Sequence, residues 1–175
     1  MKKIILTFLL VILVSASAFA ARPSGWGVGF VGQYGYAWDG FTGSPGLGLS
    51  LKMPQVPLFY GINLDLQRHG FSVSVTTDRY IIDDIMVPDI NLGFFIGWGT
   101  YISFVHYNYA STNWNSFRGG LRVPIGVYIL PTNFFEVFLN VAPSLGVGLY
   151  FGDYTDRFRF PEGGLGLDIG LRFWF

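Results

Sequence analysis

Few residues in this chain could carry bond-making chemistry. It has no cysteine and two histidines, His69 and His106. A general base or an activated nucleophile needs a histidine close to a serine or a carboxylate, and no histidine–serine motif is present. Without cysteine there is no thiolate, no disulfide framework and no acylated N-terminal cysteine. No spacing of His, Asp and Glu matches a metal site. Asp83 and Asp84 are neighbours, so in a strand they point to opposite faces and cannot act as a carboxylate pair; they are expected in a turn. The residue types therefore predict no enzyme, no metal and no cofactor. What remains is a sparse polar set: Lys52, Asp65, Arg118, Arg122, Glu136, Asn140, Asp168 and Arg172. Its chemistry is electrostatic, because opposite charges that share an interior must pair.

Alternation is what would bring that set into one interior. In the last ten residues Leu167, Ile169, Leu171, Phe173 and Phe175 share one face of a strand. Gly166, Asp168, Gly170, Arg172 and Trp174 share the other. The same reading finds eight alternating segments. They cover residues 25–38, 44–53, 57–67, a fourth from Gly70, then 89–106, 117–129, 134–151 and 166–175. The fourth loses its pattern between Asp78 and Asp84. Every second link contains proline (54–57, 85–89 and 130–133), which cannot donate to a ladder and so marks strand ends. The intervening links, 39–43, 67–70, 108–115 and 153–162, are rich in Asp, Asn, Ser, Thr and Tyr.

Hydrophobic residues make up 51% of the chain, aromatics 19% and charged residues 13%, against about 25% charged in ordinary globular domains. Such a surface suits lipid better than water. No stretch after residue 20 is long enough for a spanning helix, and a closed barrel is the other structure that satisfies its backbone inside a bilayer. A soluble barrel would turn its apolar face inward and line the outside with Lys, Glu, Asp and Arg. Here the opposite face holds mainly Gly, Ser, Asn and aromatics, which suits a narrow lumen. The expected fold is all-β, an eight-stranded antiparallel up-and-down transmembrane β-barrel. Trp26, Tyr60, Phe135, Phe173 and Phe175 would form one aromatic girdle, and Tyr34, Tyr36, Trp98 and Phe117 the other.

The N-terminus supplies an address. Lys2 and Lys3 precede an apolar run from Ile4 to Val14, and Ala18-Phe19-Ala20 offers small residues at a cleavage site. Residues 1–20 are thus expected to be a cleaved signal peptide and 21–175 the barrel domain. Removing the two lysines from 11 basic residues leaves 9 against 11 acidic ones, a net charge of −2. No basic patch suggests nucleic acid.

Asp168-x-Gly170-x-x-Phe173-x-Phe175 resembles the C-terminal β-signal of bacterial outer-membrane proteins. That resemblance implies a bacterial outer-membrane location, with membrane lipid and the barrel-assembly machinery as partners. With the leader and the strand count, the chain resembles the small eight-stranded barrels of the OmpX, OmpW and OmpA-transmembrane types. Gly46-Leu47-Gly48-Leu49-Ser50-Leu51-Lys52, with Pro54 and Pro57, also resembles uncharacterised spirochaetal barrels.

Counted from the proline-marked turns, Arg122, Asn140, Asp168 and Asp65 lie seven or eight residues up their strands. Glu136 and Arg172 lie about three residues in, on neighbouring strands. Opposite charges at matching heights predict an internal network that fills the lumen, while inward glycines predict some room for a cavity. The expected role is structural, or a narrow or gated passage for small molecules. The alternative is a surface-exposed binding or adhesion protein acting through its loops.

Overall fold

Side chains that alternate in a strand leave one apolar face per strand, and a sheet with one such face closes most economically on itself. The computed structural model describes residues 22–37, 45–67, 69–109, 112–153 and 157–175. The expected leader and the 39–43 link lie outside these. Nine strand segments follow in order: β1 (Gly27–Ala37), β2 (Pro45–Lys52), β3 (Phe59–Gln67), β4 (Gly70–Val87), β5 (Leu92–Tyr109), β6 (Thr112–Arg122), β7 (Ile125–Thr132), β8 (Phe135–Gly152) and β9 (Phe158–Trp174). All pairings are antiparallel and join strands consecutive in sequence, except that β6 and β7 each pair with β5 and β8 and not with one another; β1 pairs with β9 over eleven rungs, from Gly27 opposite Trp174 to Ala37 opposite Gly164. The sheet is a closed ring.

That ring has eight staves because β6 and β7 are one strand interrupted. Both pair with β5 on one side and β8 on the other. The stave expected as an unbroken 117–129 therefore starts earlier, at Thr112, and is split at Val123-Pro124. Pro124 has no N–H to donate, although its carbonyl still accepts from Gly97 N at 2.9 Å.

Three other boundaries differ from expectation. The fifth stave starts at Leu92 rather than Asp89, because Pro88–Ile90 form a 3-10 turn closed by Asn91 at φ 49°. The 108–115 link is mostly ladder, with Tyr109 opposite Thr112. The last stave begins at Phe158, so the link expected over 153–162 is shortened by further pairing with β8.

β4 explains its own broken pattern. Its pairing with β5 shifts register between Tyr80 and Ile82, so Ile81 is an extra residue in a bulge. Asp78 and Tyr80 face inward above it and Asp83 faces inward below it. Asp83 and Asp84 were expected in a turn; both lie in the strand, Asp83 buried and Asp84 exposed.

The outward face is apolar almost throughout. Leu47 is 77% exposed and Ile102 67%. Among the described strand residues, Arg79 and Asp84 are the charges that point outward. The nine aromatics expected in the two girdles all lie on that face. The core is inside the ring. Val31, Phe59, Phe95, Tyr128, Leu130, Phe138 and Trp174 cluster toward the short-turn end, and Val105, Trp114 and Tyr150 toward the loop end.

Candidate functional site in the barrel interior

The interior is organised around Glu136. Antiparallel register sets Glu136 opposite Arg172, and both side chains point inward, away from the outward-facing Phe135 and Phe173. Arg172 Nη1 donates to both carboxylate oxygens, at 2.9 and 3.0 Å, and its Nη2 donates to Ser50 Oγ at 2.8 Å. Trp174, two residues on and therefore on the same face, donates its Nε1–H to Oε2 at 2.9 Å. Arg22 Nε supplies another donor to Oε1, at 3.0 Å. Arg22 also pairs with Asp83, Nη1 to Oδ1 at 2.7 Å. Rings close the gaps: the Arg22 guanidinium lies 3.7 Å from the Tyr128 ring centre, and that of Arg172 lies 4.7 Å from both Phe59 and Phe138. Charge-assisted bonds of this number offset the cost of burying Glu136 without water.

A second layer lies further up the bore. Arg122 Nη2 donates to Asp168 Oδ2 at 3.0 Å, and its Nε lies 3.2 Å from Asp78 Oδ1. Asn140 is the register partner of Asp168 on β8. The two ion pairs of Arg122 link β4, β6 and β9 across the lumen.

Toward the loop end the interior is hollow. A half-open cavity of about 210 Å³ is lined by Ser72, Ser74, Thr76, Tyr101, Ser103 and Ser144, with Asp65, Arg118 and Arg122 at its edges. Asp65 accepts from Ser72 Oγ at 2.6 Å. Glu162 accepts from the Tyr150 hydroxyl at 2.5 Å, and Arg118 and Arg159 lie 3.8 and 3.6 Å from its carboxylate.

Inward glycines do different work in the two halves. In the turn half they make room for rings: a Cβ at Gly170 would sit 2.3 Å from the Phe138 ring, and one at Gly93 the same distance from Tyr128. At Gly35, beside the cavity, a Cβ would meet nothing within 4 Å. Most of the expected room lies toward the loops; a smaller cavity of about 30 Å³ sits lower in the bore beside Ser50, Asn63, Asp78 and Arg172.

The eight polar residues singled out in the sequence thus fall into separate groups. Glu136 and Arg172 meet in the floor; Arg122, Asp168 and Asn140 belong to the middle layer. Asp65 and Arg118 border the cavity. Lys52 stays at the turn end and donates to the Met53 carbonyl at 2.6 Å. Sequence reasoning missed Arg22, Asp78, Asp83, Arg159 and Glu162. The bulge hides Asp83, whereas Asp78 continues the inward register of Ser72, Ser74 and Thr76 and could have been found by extending that count; Arg159 and Glu162 lie in what reads as a loop, and Arg22 precedes the first alternating segment. Among the described residues the inward charges are six cations (Arg22, Lys52, Arg118, Arg122, Arg159, Arg172) and six anions (Asp65, Asp78, Asp83, Glu136, Glu162, Asp168). His106 points outward, packed on Phe71 with ring centres 5.5 Å apart and bonded to Asn115 Oδ1 at 2.8 Å.

No protein-family model and no curated protein matches this sequence. Among solved structures, the N-terminal β-barrel domain of Pseudomonas aeruginosa OprF superposes with a TM-score of 0.58 at 11% identity, over 87% of this chain and 98% of that domain. Neisserial surface protein A (NspA) superposes with a TM-score of 0.52 at 13% identity, over 86% and 97%. Both are eight-stranded outer-membrane barrels. This chain has their fold. Identities this low leave the interior of each barrel to be read on its own residues, and the ion-paired floor is a property of this sequence.

Proposed function

We propose that the protein is an integral barrel of the bacterial outer membrane, without catalytic activity, whose lumen is sealed in its resting state and passes small solutes only when the floor opens. The observation that carries this reading is the stacking of two ion-paired layers across the bore, around Glu136 and around Arg122, beneath a hollow loop end. The outward face supports the lipid setting. An outward Arg costs about 2–4 kcal/mol at the bilayer midplane and little near its surfaces, so a belt whose outward charges, among the described strand residues, are Arg79 and Asp84 suits a bilayer. The short turns, Trp26 and Phe175 share the end that would face the periplasm. The spirochaetal likeness rests on residues 46–57 alone.

Planar-bilayer recording tests the reading. The wild-type barrel is expected to be silent, and Arg122→Ala to produce solute-sized conductance steps or lose stability. Large steady conductance in the wild type, or an Arg122→Ala variant unchanged in both respects, would sink it.

The cavity favours a second reading, in which a small polar molecule binds from the loop side beside Asp65 and Tyr101. Saturable binding to a silent wild-type barrel would support it.

A further inference from the structure

We propose that the turn end of the barrel is a guanidinium-binding site, filled in cis by Arg22 as a tethered ligand and able to take another guanidinium group when Arg22 is withdrawn. Arg22 is not part of the wall. It lies five residues ahead of β1, and the ladder ends at Trp26, which exchanges backbone bonds with Phe175 at 3.0 and 2.8 Å. The chain passes so close to Phe175 at Gly25 that a Cβ there would sit 1.8 Å from the Phe175 carbonyl oxygen.

The neighbours of β1 are β2 and β9, yet the ring and carboxylate partners of the Arg22 head lie on other strands. It reaches Phe59 on β3, Tyr80 and Asp83 on β4, Phe95 on β5, Tyr128 on β7 and Glu136 on β8. The side chain spans the bore to the opposite wall. What surrounds it matches one chemical group. A planar cation can lie against rings at 3.7 to 5.5 Å while its edge meets two carboxylates. An ammonium could neutralise Asp83 but has no plane to lay on Tyr128.

The cage is also unbalanced without its ligand. Asp83, 9% exposed, has Arg22 as its only ion-pair partner among the described residues. A buried carboxylate left alone is strongly unfavourable, so an emptied cage attracts a cation. Because Arg22 belongs to a short segment ahead of the ring, it can leave while every stave stays paired. Its part in sealing the lumen rests on the sealed-barrel reading above. The recognition itself does not, and it is tested without conductance.

The test is thermal unfolding of refolded, detergent-solubilised barrel, titrated with propylguanidinium or propylammonium. Arg22→Ala should be stabilised saturably by propylguanidinium, and bind it at least about tenfold more tightly than propylammonium, the gain from stacking a planar cation in a desolvated cage. Wild type, with the cage filled, should not respond. Adding Asp83→Asn to Arg22→Ala should weaken the binding about tenfold through the lost charge-assisted bond. Equal responses in wild type and Arg22→Ala, or equal responses to the two cations, would overturn the proposal. If Arg22→Ala does not refold, the reading is refolding yield: recovery with propylguanidinium but not propylammonium supports the site, and failure with both rejects it. Conductance of the wild type bears on the sealed lumen alone, so the two readings can fail separately.

Discussion

Glu136 accepts from three side chains, Arg22, Arg172 and Trp174, which approach from the N-terminal segment and from β9. Replacing it with glutamine keeps the shape and removes the charge. Two guanidinium groups then share the floor with Asp83 alone, which is the costly way to break a buried network. The expected loss for Glu136→Gln is about 3–5 kcal/mol, read as a lower urea midpoint in detergent micelles. Lys52→Met, which removes a partly exposed cation with no carboxylate partner among the described residues, should stay within about 0.5 kcal/mol. Equal effects would make the floor a bystander. The Glu136–Arg172 pair is legible in the sequence because each lies about three residues from the same end on adjacent antiparallel strands. Arg122 and Asp168 can be matched by the same counting. Arg22 cannot, since no local pattern says where a residue outside the strands will reach.

Alternation marked every stave, and it failed where the backbone departs from period two. Ile81 is such a place: the bulge puts Tyr80 and Asp83, three positions apart, on the same face. A reader counting by twos sends Asp83 outward and so looks for a turn. Deleting Ile81 should restore strict alternation while keeping both Tyr80 and Asp83 inside, at a cost near the typical single-change value of about 1 kcal/mol. Deleting Val75, in the regular part of β4, should instead invert Asp78 and Tyr80 to the outer face and abolish folding. Retained versus lost heat-modified gel migration distinguishes the two. Pro124 shows the converse case. It ends the ladder of β6, yet Val123 and Ile125 both stay outward, so the face pattern runs through the break and conceals it.

At the scale of the whole barrel, the closing strand carries two kinds of information. Asp168 is bonded to Arg122, and Gly170 accommodates the Phe138 ring, so changing either also damages the interior. Phe175 is separable: its side chain is 81% exposed, and its ties to Trp26 are through the backbone. Phe175→Ala should therefore refold in detergent within about 0.5 kcal/mol of wild type, yet insert poorly in cells if the assembly machinery reads that ring. Normal membrane levels would remove Phe175 from the signal. The β1–β9 seam has a further consequence, in time. Gly27 meets Trp174 across 147 positions of sequence (174 minus 27), so the first strand formed must wait for nearly all the rest. Until then the growing sheet has two open edges, each able to pair with another chain. Closure is thus a late event, and whatever holds the unclosed chain has to mask two strands rather than one.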